Sequence, residues 1–314
     1  LKYQGIYPPA IMRDIIGLPQ ELFDNGNLEC DGCVNYMKSG MVYADYITTV
    51  SPTYAKEITY PYFGERLDGY IRDNQNRVRG IINGLDERAY NPAADTYIAQ
   101  TYTTENARSG KRVNKDALRR ELGLRVKRGV PMIAMVSRLV EDKGMDLVLR
   151  IMDELVEDEV QLVIVGTGDE RYEQAFRELA QRHPTKVSAN ILFDEGLAHR
   201  VYAASDIFLM PSRYEPCGLS QLIALRYGSI PVVRETGGLN DTVVPFDKHT
   251  GKGNGFRFPN FNAHELLFTA KRALGYYEDT VIWDHLVKNA MESDYSWKQS
   301  AQAYMNLYQA VLTK

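Results

Sequence analysis

From Val130 onward, short apolar runs and amphipathic stretches alternate with a regularity the earlier part of the chain lacks. Residues 132–136 form an apolar run of the buried-strand kind, and Met145, Val148, Leu149, Met152, Leu155 and Val156 then recur at helical spacing. The alternation continues with a strand over 162–165 and a helix marked by Tyr172, Ala175, Phe176 and Leu179. A third strand ends in Ile191-Leu192-Phe193, a fourth covers 207–210, a helix follows through Leu222, Ile223 and Leu225, and a fifth strand covers 230–233. Strands that are apolar on both faces and separated by helices predict an α/β fold, a doubly wound parallel sheet covered on both sides.

The earlier half is less regular. Gly5, Pro8-Pro9, Pro19, Asn25-Gly26 and Asp31-Gly32 break residues 1–34 into short pieces. A helix is expected over 37–43 and a strand over 46–50. Ser51 then serves as N-cap and Pro52 as the first residue of a helix carrying Tyr54, Ala55 and Ile58. A strand over 78–82 runs into Asn83-Gly84, which completes one crossover unit of a second parallel sheet. Residues 85–114 read as the boundary, with Asn91-Pro92, a polar run and the basic cluster 108–112, taken as a solvated face. Asn114 is expected to cap a short helix ending at Leu122. Near the end, Asn262 and Glu265 form a capping box. The final helix gathers Ala301, Tyr304, Met305, Tyr308, Val311 and Leu312 on one stripe, which must dock on something.

Composition narrows the function classes. The chain has 314 residues, 44% hydrophobic, with a formal net charge of −4. That charge gives no electrostatic reason to expect nucleic acid or an acidic membrane as partner. No apolar run approaches the ~20 residues that span a bilayer, and no basic-then-apolar leader suggests secretion. Cys30, Cys33 and Cys217 cannot form a disulfide framework, which fits a reducing, cytoplasmic setting. Cys30-x-x-Cys33 lacks the two further ligands a zinc site needs. It stands in a turn instead of opening a helix, so it reads as structural and not as a redox motif.

Chemistry collects after the strands, where an open parallel sheet binds ligands. After the fourth strand comes Pro211-Ser212-Arg213-Tyr214-Glu215-Pro216-Cys217-Gly218-Leu219-Ser220, which restarts as a helix. Backbone N–H groups at such a start suit a phosphate; Gly218 lets it approach and Ser220 adds a hydroxyl. Glu215 places an acid beside that anion site, as expected where a phosphate and a sugar lie together. After the first strand come Ser137-Arg138-Leu139 and Lys143-Gly144, two cations able to stabilise a departing diphosphate. Gly166-x-Gly168 fails the dinucleotide fingerprint, because its third glycine would fall on Arg171, but still allows close backbone approach to a nucleotide. Phe193 either stacks on a base or belongs to the core; the residue type allows both. Thr236-Gly237-Gly238-Leu239 shapes the crevice, and His199, with no carboxylate spaced to form a triad, reads as structural.

At 211–221 the chain resembles the bacterial glycogen synthase and starch synthase family, retaining ADP-glucose glycosyltransferases. The shared pattern is Pro-Ser-Arg-aromatic-Glu-Pro-Cys-Gly-Leu-(Ser/Thr)-Gln. Ser137, Arg138, Leu139, Lys143 and Gly144 match its Ser-Arg-Leu-x-x-x-Lys-Gly pattern, and Tyr3-Gln4-Gly5 its Tyr-Gln-Gly. The resemblance implies a GT-B fold of two Rossmann-like domains, the first incomplete. Residues 1–84 would be a remnant of the acceptor-side domain and 85–296 the nucleotide-sugar domain. Residues 297–314 would be a terminal helix packing back on the first. It implies transfer of glucose from ADP-glucose to the non-reducing end of an α-1,4-glucan, with no cofactor, no metal, no nucleic acid and no membrane partner. Glu215, Arg138 and Lys143 would be the catalytic residues. Gly168, Phe193, Cys217, Gly218, Leu219, Ser220 and Asn83 would bind substrate. Related transferases place a second Glu eight positions after the first; here Ile223 stands there, so a two-carboxylate glycosidase scheme is not expected. A chain that starts inside the family's first domain is expected to bind nucleotide weakly and not to turn over alone. The remaining readings are another sugar-nucleotide transferase, such as one using UDP-glucose, and a non-catalytic nucleotide- or glucan-binding module.

Overall fold

The computed structural model describes residues 1–313, and these fall into two compact units. One gathers residues 1–82 with the chain from Ala301 onward; the other is 83–300. Among the described residues no helix is long and apolar enough to cross a membrane.

The first unit holds a three-stranded antiparallel sheet of β1 (Ile6–Tyr7), β2 (Glu29–Cys30) and β3 (Cys33–Asn35), in the order β1-β3-β2. It also holds a parallel pair, β4 (Ile47–Thr49) with β5 (Val78–Gly80). Between the parallel strands the helix Pro52–Glu57 starts as its sequence dictates. Ser51 Oγ accepts from Tyr54 N–H at 2.8 Å and Pro52 takes the first helical position. Two small apolar clusters hold the unit, one around Met41, Tyr54, Ile58, Leu67, Ile71 and Val78, the other Met12, Leu28 and Val34. The stripe on the final helix, Trp297–Leu312, leaves Met305, Tyr308 and Leu312 exposed.

The second unit is built on six parallel strands: β6 (Met132–Val136), β7 (Gln161–Val165), β8 (Val187–Asn190), β9 (Ile207–Met210), β10 (Ile230–Arg234) and β11 (Phe256–Phe258). Their order is β11-β10-β9-β6-β7-β8. The central strands are buried along nearly their whole length, as continuous apolar runs require. From β6 the chain winds outward through β7 and β8, then returns to β9 and winds the other way. The order therefore reverses between β6 and β9, and open α/β sheets bind ligands beyond the carboxyl ends at such a reversal.

Five expectations need correction. The third strand ends at Asn190, before Ile191-Leu192-Phe193, which form part of the following loop. The sheet gains a sixth strand, β11, too short to stand out as a periodic run. Asn114 does not start a helix. It lies buried inside Ala107–Glu121, its amide bonded to Gln100 N–H (3.1 Å) and to the carbonyls of Gln100 (2.7 Å) and Gly110 (3.0 Å). Nor is the basic cluster wholly solvated: Lys111 is buried, and its ammonium donates to the carbonyls of Tyr227 (2.9 Å) and Ala203 (3.1 Å). The capping box is half made. Asn262 accepts from the His264 and Glu265 amides, while the Glu265 carboxylate turns to Asn260.

Candidate active site

The loops after β6 and β9, either side of the reversal, are stapled together. Arg213 N–H donates to the Asp142 carbonyl at 2.8 Å, and the Tyr214 hydroxyl donates to the Asp142 carboxylate at 2.5 Å. The Arg213 guanidinium reaches Glu141 at 3.0 Å and lies 4.5 Å from the Phe261 ring centroid. Between these contacts the Lys143 ammonium meets the Glu215 carboxylate in an ion pair. Glu215 is only 7% exposed and also accepts from Ser212 Oγ at 3.2 Å. Two residues 72 positions apart in sequence, carried by different loops, are thus brought together just beyond the sheet's reversal point. Arg138, on the same β6 loop, is exposed, and its guanidinium has no hydrogen-bond or ion-pair partner among the described residues.

Glycines set how closely these loops approach. A Cβ on Gly144 would lie 2.2 Å from the Pro211 carbonyl oxygen, and one on Gly237 2.0 Å from that of Glu215. Gly168 has the same kind of reason to be glycine: a Cβ there would lie 2.1 Å from the Leu139 carbonyl oxygen. The space it spares is filled by the neighbouring loop, which pairs with it through Leu139 N–H to Thr167 O (2.9 Å) and Asp169 N–H to Leu139 O (2.8 Å). Gly218 adopts φ +75°, a left-handed conformation that favours glycine.

The remaining candidates divide. Cys217 is buried, and its thiol is pushed up by burial first and by Glu215 and Asp241, while a bond from the Asn83 backbone opposes the shift. That contact brings Asn83 to the loop and gives Cys217 a packing role. Ser220 opens the helix Ser220–Arg226, and its hydroxyl bonds to the buried Tyr202 phenol. Leu219 is half exposed beside it. Phe193 is 93% exposed, so it is not core, and it makes no ring contact with the other candidates.

Three residues of the site, Gln221, Ser212 and Arg234, have roles of their own that the sequence does not show. Gln221 is fully buried, and its amide donates to the carbonyls of Cys217 (3.0 Å) and Gly218 (3.1 Å), holding the turn closed. Arg234, at the end of β10, donates to the Ser212 carbonyl at 2.8 Å and to that of Arg213. Ser212 positions Glu215. An Arg directly after a β-branched strand was the one available signal, since the contact itself joins residues far apart in sequence. His199 does find a carboxylate, Asp95 at 2.8 Å, which also accepts from the Tyr227 hydroxyl at 2.5 Å. The cluster is buried among Tyr90 and Tyr97, in keeping with a structural role.

Comparison with known proteins follows this geometry. The model of the family "Starch synthase catalytic domain" matches residues 1–73, and that of "Glycosyl transferases group 1" matches residues 115–275, just over half of the chain. A glycogen synthase of Bacillus cereus (strain B4264) is 52% identical over 312 residues, covering 99% of this chain and 65% of the relative. One of Clostridium beijerinckii is 52% identical over 308 residues, 98% of this chain and 64% of the relative. The chain therefore spans about two thirds of the length of these relatives. Among solved structures, the catalytic domain of starch synthase IV from Arabidopsis thaliana, bound to ADP and acarbose, superposes with a TM-score of 0.91 at 33% identity. That match covers 100% of this chain and 66% of that one. The fold is that of the GT-B glycosyltransferases, and the chain belongs to the group 1 glycosyltransferase family, with glycogen and starch synthases as its relatives.

Proposed function

We propose that this chain carries the nucleotide-sugar half of a reaction that transfers glucose from ADP-glucose to the non-reducing end of an α-1,4-glucan with retention of configuration. The observation that carries this reading is the Lys143–Glu215 ion pair at the sheet's reversal point, with Arg138 exposed on the same loop as Lys143. As the bond from the sugar to the diphosphate breaks, negative charge grows on the leaving group. Fixed cations in a crevice stabilise it without reorganising. Arg138 grips two oxygens at once and Lys143 acts as a point charge, so each does what the other cannot. Glu215 holds Lys143 in place before the donor arrives, then faces the positive charge that develops on the sugar. Gly218, Leu219 and Ser220 shape the turn against which the diphosphate rests, and Phe193 offers an exposed ring to the base. Ile223, where a second carboxylate would stand, is a buried apolar residue, so departure and attack share one face of the sugar. The scheme uses no cofactor, because the two cations supply the charge. Cysteine usage suits a cytoplasmic setting.

Calorimetric titration with ADP, ADP-glucose, UDP and UDP-glucose tests the reading. ADP and ADP-glucose are expected to bind roughly tenfold or more tightly than their UDP counterparts, a difference of about 1.4 kcal/mol. Equal affinity for both bases, or no binding of either, would overturn it.

A further inference from the structure

Cys30 and Cys33 are cross-strand partners at the tip of the β2–β3 hairpin, joined by the two-residue turn Asp31-Gly32. Asp31 (φ +53°) and Gly32 (φ +76°) both adopt left-handed backbone, as a tight hairpin turn of the primed kind demands. Two registers down, Asn35 N–H donates to the Leu28 carbonyl at 2.9 Å. Pair types alternate along an antiparallel ladder, so Cys30 and Cys33 form the hydrogen-bonded type, with Cα atoms about 5.5 Å apart. That separation falls at the commonest value for a disulfide. Facing residues also point to one side of the sheet.

Both thiols are free and half-buried, within reach of a small reagent. The surrounding turn is fixed from several directions. Lys38 Nζ donates to the Gly26 carbonyl at 3.0 Å and to the Glu29 carbonyl at 2.5 Å, Gly32 N–H donates to Glu29 Oε1 at 2.7 Å, and Arg66 pairs with Asp31. The Cys30 thiol leans toward Asp31 at 3.8 Å, and burial, then Asp31, raise it. Among the described residues no group of three or more His, Cys, Asp or Glu could hold a metal, so the pair stands as a dithiol alone.

We propose that Cys30 and Cys33 form a reversible disulfide on exposure to a low-molecular-weight disulfide such as oxidised glutathione. One cysteine thiolate attacks a sulfur of the small disulfide, forming a mixed disulfide and expelling one small thiolate. The second cysteine thiolate then attacks the protein sulfur of that bond and expels the other. Two electrons pass to the small disulfide, and the two protons lost by the cysteines end on the two small thiols. Facing Cβ atoms of this pair type lie at the wide end for closure, so the turn must tighten and the bond is easily reduced. The closed loop is also too short to restrict the unfolded chain much. The bond is therefore a reversible modification and not a structural brace.

The test treats the whole protein with excess oxidised glutathione, then maps peptides by mass. The expected product has lost two hydrogens, with Cys30 linked to Cys33 and Cys217 still a thiol, and dithiothreitol restores the starting mass. In Cys33→Ser the reaction is expected to stop with one glutathione held on Cys30. Wild-type protein that accumulates glutathione on either cysteine without linking them, or that keeps both thiols free, would overturn the proposal. Loss of two hydrogens in Cys33→Ser would overturn it too, because the bond would then involve Cys217.

Discussion

Two lysine–carboxylate pairs straddle the same seam of the sheet, one at each end, and their differences separate packing from chemistry. At the amino ends of β6 and β9, Lys115 meets Asp206 at 2.5 Å, both side chains less than a tenth exposed. Further bonds support the pair: Asp206 also accepts from Met132 N–H at 2.7 Å, and Lys115 reaches the Tyr277 hydroxyl at 3.2 Å. Burial pulls Lys115 down, but Asp206 and Tyr277 outweigh it and hold the ammonium above its ordinary value. At the carboxyl ends, the Lys143 and Glu215 side chains remain 20% and 10% exposed, and the loop that carries Lys143 also carries the exposed Arg138. The first pair is closed and satisfied. The second is built from loops, left partly open, and shares its β6 loop with a further cation.

Breaking the closed pair has the largest expected effect. Asp206→Ala leaves a buried ammonium without its counter-charge and is expected to cost about 3–5 kcal/mol in a denaturant titration. Loss of ADP affinity from protein that stays folded would blur the distinction between the pairs. The buried Lys111 next to it gives a pH signature. Burial lowers it to about 7, so from there up to its ordinary value the unfolded chain holds a proton that the folded chain lacks. Stability should therefore rise with pH, by about 2 kcal/mol between pH of about 7 and 9, and Lys111→Met should flatten that rise. A denaturation midpoint that falls over this range would contradict the reading.

At the open pair, binding should respond more than folding. Lys143→Ala is expected to weaken ADP by about 2 kcal/mol, roughly 30-fold. Arg138→Ala should weaken it roughly tenfold with no change in unfolding midpoint, because the side chain supports nothing in the fold. Smallest of all, Phe193→Ala should alter stability by less than about 0.5 kcal/mol. It should reduce affinity for ADP while leaving inorganic pyrophosphate unaffected. An equal loss for both would detach the ring from the base.

The sequence showed the open pair more readily than the closed one, for a physical reason. Strands buried on both faces are continuous apolar runs, so their ends, and the residues just beyond, can be read directly. Arg138, Lys143 and Glu215 all lie just beyond such ends. Lys115 and Lys111 sit on a helix whose polar spacing looks like a solvated face. Their burial is set by Asp206 and by the carbonyls of Ala203 and Tyr227, about 90 or more positions away. Apolar patterning sets the third strand too late because Val187-Ser188-Ala189-Asn190 is less apolar than the Ile191-Leu192-Phe193 that follows it. Gly168 has a second reason to be glycine that the sequence does not show, since its missing side chain makes room for the Leu139 carbonyl. The Cys30–Cys33 turn was legible as a turn, but its facing thiols emerge only from the strand register.

The central claim is that a diphosphate binds at the β6–β9 seam, held by the cations of the β6 loop. Calorimetric titration of ADP into the wild-type protein, Arg138→Ala and Arg138→Ala/Lys143→Ala tests it most directly. The account predicts a stepwise loss of affinity, beyond detection in the double variant, while unfolding shows that variant still folded. Wild-type affinity in the double variant would contradict it.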